Sequence, residues 1–207
     1  MVKNVKMQVR EFIYCVANQS EKKDLGLKEV TWTKPIAGWC KLNTDGSINS
    51  ASGIAGYGGL IRDSNGQWVA GFAKKIAANS SLAAELWSLR EGMVLCVDTQ
   101  AQAVEVKLDA TTTISLISSK SRSNGDFFGL VDDCRDLLLQ LPQVKVSHCF
   151  REVNVYADAL AKLGASSFDG GSCFTIPPVD VNPLSLFDFL GLYCNRLHLN
   201  VCETILG

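Results

Sequence analysis

Residues 39–75 read WCKLNTDGSINSASGIAGYGGLIRDSNGQWVAGFAKK, and residues 82–96 that follow read LAAELWSLREGMVLC. The first stretch has strand character over Trp39–Thr44, which ends at Asp45-Gly46, over Tyr57–Arg62 and over Gln67–Lys75. Asn65-Gly66 between the last two is a hairpin signal, because both residues accept the positive φ of a tight turn. The second stretch changes period. Leu82, Leu86, Leu89, Met93 and Cys96 recur every three or four residues, the spacing of a helix with one apolar stripe. Strand pairing therefore gives way to a crossover helix.

Outward from this core, Ala103–Leu108 alternates as a strand, Thr111–Ser119 suits a short helix, and Phe127–Leu141 suits a longer one stopped by Pro142. Val144–Phe150 is the last strand. Asn154 is placed to cap a final helix that continues through Leu163 and ends at Gly164. An antiparallel meander that feeds into parallel crossovers predicts an α/β (α+β) domain: a mixed sheet with helices on its faces. Residues 1–34 read as an N-terminal helix, with Val5, Val9, Phe12, Ile13 and Val16 at helical spacing, followed by a linker. The domain is expected over residues 36–167. Residues 168–207 form a tail with a Gly-rich break, Pro177-Pro178 and a short helix around Phe187 and Leu190.

The chain has 207 residues, 47% of them hydrophobic, enough to bury a full core. Twenty basic residues against twenty-one acidic ones leave a formal net charge of -1, so any grip on nucleic acid has to be local. The eight cysteines form no C-x-x-C pair and accompany no secretory signal, which suits reduced thiols in the nucleus or cytoplasm. Few acids precede Glu21, as in an organellar transit peptide, whereas Glu11 and scarce arginine oppose one; both readings stay open. Cys194, His198 and Cys202, four residues apart, would set three zinc ligands on one helical face, with ordinary thiols as the plainer reading. The apolar run Leu184–Tyr193 is too short to span a bilayer and contains Asp188.

Asp45 and Asp109 are each expected at a strand carboxyl end, where sheets with crossover helices open their ligand crevice. Glu85 flanks the apolar stripe of the crossover helix, and Asp158 stands in the first turn of the last helix, where the dipole favours an anion. Brought together, these acids would raise one another's pKa unless a cation compensates. Magnesium, with manganese as an alternative, is the natural choice for an all-oxygen site that completes its shell with phosphates. Singly, Asp109 at a strand end is more often a turn residue, and Glu85 more often a solvent contact at a helix edge.

Three segments in this order carry a resemblance: Leu42-Asn43-Thr44-Asp45-Gly46-Ser47, Ala84-Glu85-Leu86-Trp87, and His148 through Arg151-Glu152, Asn154, Ala157-Asp158 and Leu160-Ala161. Together they resemble ribonuclease H type 1, in the form found in plant proteins related to retrotransposons. The resemblance implies a ribonuclease H-like fold with a five-stranded mixed sheet, and a monomeric endonuclease that cuts the RNA strand of RNA/DNA hybrids by a two-metal mechanism. It implies metal-binding roles for Asp45, Glu85, Asp109 and Asp158. It makes His148 a proton-transfer or product-release residue, and it places nucleic-acid contacts at Gly46, Ser47, Ser81 and Asn154. A histidine that ends a strand is equally well structural.

The pattern also departs from the family. Ser80-Ser81-Leu82 stands where asparagine or glutamine is expected to touch the hybrid, and the 127–141 helix opposes Asp132, Asp133 and Asp136 with Arg135 alone. Two further readings therefore accompany the nuclease: a catalytically weak nucleic-acid-binding or adaptor module derived from a retrotransposon, and a proofreading-type exonuclease. The latter is disfavoured because Asp45-Gly46-Ser47 lacks the Asp-x-Glu of such enzymes.

Overall fold

A computed structural model describes residues 27–49, 53–77, 80–119, 127–167, 171–181, 184 and 194–197. Its strands are β1 (Leu27–Val30), β2 (Cys40–Asn49), β3 (Ile54–Arg62), β4 (Trp68–Ile76), β5 (Ala103–Leu108), β6 (Gln143–His148), β7 (Gly171–Phe174) and β8 (Cys194–Leu197). Its helices are α1 (Ser81–Asp98), α2 (Thr111–Ser118), α3 (Phe128–Gln140) and α4 (Val155–Ala165), with a 3-10 turn over Arg151–Val153. The main sheet runs β6-β5-β2-β3-β4-β7. Antiparallel pairing joins β2, β3, β4 and β7, whereas β5 and β6 add in parallel.

The mixed α/β architecture is as expected from the sequence, with one strand more. Five strands were expected and six are present, because Gly171–Phe174 pairs with Gly71–Lys74 on the outer edge of β4. A bare edge leaves a row of backbone donors and acceptors to water or to another chain, and the returning tail satisfies them. Four residues without alternation gave no strand signal. The short helix expected around Phe187 and Leu190 lies outside the described residues, as does the helix expected near the N-terminus.

Both faces of the sheet are covered. Leu42, Ile61, Val104, Val106 and Leu108 pack against Leu86, Leu89 and Met93 of α1 and Val131 and Cys134 of α3. On the opposite face, Leu60 and Ala73 pack against Tyr156, Ala157 and Leu160 of α4 and against Val181 and Leu184 from the tail. The neighbours Leu60 and Ile61 thus serve different cores, as the period of two requires. Ser80 caps α1, its hydroxyl accepting from the Ala83 N–H at 3.4 Å.

The segment before the domain is more engaged than a linker. β1 pairs antiparallel with β8, and Trp32 is buried on the sheet with its indole face 3.7 Å from the Arg62 guanidinium. Lys41 lies on the same ring, donates to the Thr33 carbonyl and pairs with Glu105 at 3.2 Å. Two buried cations on adjacent strands need a π face and acceptors, and residues 32–33 supply both.

Cys194 begins a strand rather than a helical turn, and the other two residues of the zinc reading, His198 and Cys202, lie outside the described residues. Cys40, Cys96, Cys134, Cys149 and Cys173 are free thiols. Among the described residues no helix is long and apolar enough to cross a membrane.

Gly164 does not end α4, which continues to Ala165. A methyl group at Gly164 would stand 2.3 Å from the Lys74 carbonyl oxygen, so the residue serves the close approach of α4 to β4. Helix propensity alone favours Gly→Ala by about 1 kcal/mol, and overpacking opposes it by about 1–3 kcal/mol. The backbone contact dominates here, so Gly164→Ala should lower Tm by roughly 2–4 °C per kcal/mol of net loss, as read by calorimetry. A raised Tm would contradict the close approach.

Candidate active site

Asp45 lies inside β2, paired with Gly58, and not at the strand end expected from the sequence. The difference has a simple cause. The antiparallel ladder with β3 continues to Asn49, whereas the parallel ladder with β5 stops at Asn43 opposite Lys107. Asp45 therefore stands just beyond the last parallel rung, beside the point where β5 ends at Leu108 and releases Asp109. An interior strand residue gains a crevice because its neighbour is shorter.

Glu85 arrives from α1. A methyl group at Gly46 would stand 2.5 Å from the Glu85 nitrogen, so only glycine lets β2 come this close to the helix. The same approach lets the Gly46 N–H donate to the Glu85 carboxylate. Ser88 fixes the register between helix and sheet: its hydroxyl accepts from the Asp45 N–H at 3.2 Å and donates to the Gly58 carbonyl at 2.8 Å. Ser88 was missed from sequence; its signal is a polar residue between Leu86 and Leu89 on the sheet-facing side of α1.

Asp45, Glu85 and Asp109 each offer a carboxylate oxygen, all within 4.8 Å of one another. Asp158 stands apart from this trio. Its two oxygens engage Lys162 at 2.6 Å and Arg151 at 3.8 Å, although its charge is still felt at Asp45. His148 ends β6 in register with Leu108, is exposed, and meets the Phe150 ring edge-on at 5.6 Å. Ser47 is half-buried on β2, and Ser81 is exposed in the first turn of α1. Asn154 occupies the cap position of α4 but makes no capping bond. Its buried side chain turns inward to Asn43, Thr44 and Asp109.

Burial pushes the Asp45 carboxyl up to about 9, with further contributions from the charges of Glu85, Asp109 and Asp158 and an opposing one from Arg151. Burial likewise pushes Glu85 up to about 8, reinforced by Asp109 and opposed by the Gly46 N–H, a hydrogen bond with Asp45, and Arg151. Oε2 of Glu85 is buried without a hydrogen-bond partner. A buried orphan oxygen among three mutually repelling carboxylates fits a hard divalent cation, which offers the positive charge that the fold withholds.

The linkage has a definite sign. Carboxyls whose folded pKa exceeds the unfolded value of about 4 favour the fold at low pH, and that advantage is lost as pH rises through their folded values. The metal-free chain should therefore lose thermal stability as pH rises from about 4 to about 9. Asp45→Asn, which cannot ionise, should flatten that decline, and saturating Mg2+ should reverse it. A Tm independent of pH and of metal across this window would contradict the assignment.

The family model described as reverse transcriptase-like matches residues 43–164, more than half of the chain. An Arabidopsis thaliana protein whose name describes a ribonuclease H is 31% identical over 162 residues, which are 78% of this chain and 26% of that protein. The chain thus spans about a quarter of that relative's length. A ribonuclease H domain from Mycobacterium tuberculosis, solved as a fusion with maltose-binding protein, superposes with a TM-score of 0.57 at 22% identity, covering 61% of this chain and 93% of that one. RNase H1 of the archaeon Halobacterium salinarum gives 0.57 at 22% identity, over 61% and 96%. LC11-RNase H1, isolated from compost and solved in complex with an RNA/DNA hybrid, gives 0.55 at 19% identity, over 61% and 96%. The solved structures share the fold, and the sequence match carries the kinship: this chain belongs to the reverse transcriptase-like family, with a ribonuclease H-like domain.

Proposed function

We propose that the chain is a divalent-metal-dependent endonuclease domain that hydrolyses the RNA strand of RNA/DNA hybrids. The observation that carries this reading is the convergence of Asp45, Glu85 and Asp109, delivered by three separate elements, around the orphaned Oε2 of Glu85. Structural salt bridges do not crowd like charges in this way, and perturbed carboxyls of this kind mark functional sites.

Asp45, Glu85 and Asp109 would hold Mg2+, with Mn2+ as the alternative, and Asp158 would join them through the oxygen that Arg151 touches from 3.8 Å. When bound, the ions supply Lewis-acid polarisation of the scissile phosphate and a lowered pKa for the attacking water. Lys162 holds the other Asp158 oxygen, so the carboxylate keeps one direction. His148, exposed at the end of β6 in register with Leu108, would move a proton to or from the leaving oxygen. The backbone around Gly46 and Ser47, together with the exposed Ser81, would meet the RNA ribose, whose 2'-hydroxyl distinguishes the substrate from DNA.

A second reading, a weak or inactive nucleic-acid-binding module, is favoured by the state of α3. Arg135 is occupied by Asp132 at 3.1 Å and by the carbonyls of Leu116 and Ser119, and Arg90 is occupied by Asp133 at 2.9 Å. Little positive charge is left on that side for a phosphate backbone.

Incubation of the chain with labelled RNA/DNA hybrid and Mg2+ separates the two. The nuclease reading expects internal cuts in the RNA strand, and a loss of kcat on the order of 10²-fold or more in Asp45→Asn. Hybrid binding without cleavage, or equal cleavage by both proteins, would leave the binding module standing.

A further inference from the structure

Behind the carboxylate trio runs a line of buried polar side chains. Nη2 of Arg62 and Nε1 of Trp32 both donate to Oδ1 of Asn43, at 2.9 and 3.4 Å. Nδ2 of Asn43 donates to Oδ1 of Asn154 at 3.0 Å. Nδ2 of Asn154 donates to the Thr44 carbonyl at 3.0 Å and to Oδ1 of Asp109 at 3.3 Å. All four relay residues are buried, Asn43 and Asn154 to 1% exposure.

The direction of this line follows from chemistry. An amide can present either its oxygen or its nitrogen, but guanidinium and indole have only donors. Facing Arg62 and Trp32, Asn43 has to offer its oxygen, which turns its N–H2 toward Asn154. Asn154 then has to offer its own oxygen, which turns its N–H2 toward Thr44 and Asp109. If the relay ran the other way, the Asn154 oxygen would confront a carbonyl and a carboxylate, two contacts between acceptors in a buried site.

We infer that Arg62, braced against Trp32, is a positioning residue for Asp109: by fixing the polarity of the Asn43–Asn154 amide relay it fixes the rotation of a carboxylate of the proposed metal centre. Its consequence for catalysis rests on the nuclease reading above. Arg62 and Asp109 need not touch for this to hold, because each amide transmits the orientation of the one before it. The segment carrying Trp32 precedes the domain and so contributes to the centre through two asparagines.

Three variants test it. Asn43→Asp is nearly isosteric and its carboxylate is balanced by Arg62, yet it has no donor for Asn154. Arg62→Met removes the anchor while keeping the packing on Trp32. Ile61→Ala, on the opposite face of the same strand, destabilises the core without touching the relay. Side-chain amide resonances of Asn154 in the metal-free protein read the polarity directly, and Mn2+ titration followed by electron paramagnetic resonance reads the centre. We expect the Asn154 amide signals to shift and lose exchange protection in Asn43→Asp and Arg62→Met, with Mn2+ binding weakened about 10-fold or more. Arg62→Lys, which retains a donor, should restore part of the affinity, and Ile61→Ala should change neither readout at a matched Tm. On hybrid, kcat should fall with KM unchanged. Unaltered Asn154 signals and Mn2+ affinity in the two relay variants, or the same changes in Ile61→Ala, overturn the inference. Mn2+ uptake and a working relay without hybrid cleavage would remove the nuclease reading and leave the relay in place, whereas a chain that takes up no Mn2+ would remove both.

Discussion

Repulsion among Asp45, Glu85 and Asp109 is the constraint to which the surrounding structure answers. Left free, three carboxylates with oxygens within 4.8 Å would separate or take up protons, and the raised Asp45 and Glu85 values show the second response. They cannot separate because each is carried by an element packed into the same apolar core. β2 is fixed in the middle of the sheet, α1 is stapled to it by Ser88 and admitted by Gly46, and β5 is locked between β2 and β6. The apolar packing of Leu42, Leu86, Leu89 and Val106 thus holds the charges together. Burial of such side chains is favourable by about 25 cal/mol per Å² of apolar surface.

The two faces of the sheet divide this task. The α1 face carries the larger apolar core and sets distances between elements. The α4 face carries Lys41, Asn43 and Arg62, all buried, and sets orientations. Such groups are tolerated in an interior only when each has partners. Here the partners come from three sequence-distant places: residues 32–33 before the domain, Glu105 on β5, and Asn154 at the start of α4.

Much of this was legible in the residues themselves. The period change from Gln67–Lys75 to Leu82–Cys96 located the crossover helix, and the alternation of Ala103–Leu108 gave the face of β5 that is buried. The four acids could be named, but how closely each would approach the others could not. That Asp158 would be held by Lys162 while the other three converged depends on where α4 docks, a property of packing. Asp45 was expected at a strand end because strand character stops at Asp45-Gly46, yet Gly46 serves here to admit a helix, a use that residue identity alone does not reveal. Asn154 was correctly recognised as a helix-start residue, although its amide is drawn away by Asn43, Thr44 and Asp109. Arg62, by contrast, carried a usable signal: the period of two puts it on the same face as the buried Leu60, where a cation must have partners.

The strand added by Gly171–Phe174 bears on how the chain behaves before it is complete. β4 and its partners are all made before residue 171 leaves the ribosome, so a nascent sheet presents the unpaired backbone of Gly71–Lys74 until the last strand arrives to cover it. The opposite border, β6, meets water with Gln143 and Lys145 exposed, and a lysine on an edge discourages another strand from docking. The two borders are thus guarded by different means, one by charge from the outset and the other by late closure. During synthesis the second is the place where sheets of neighbouring chains could join.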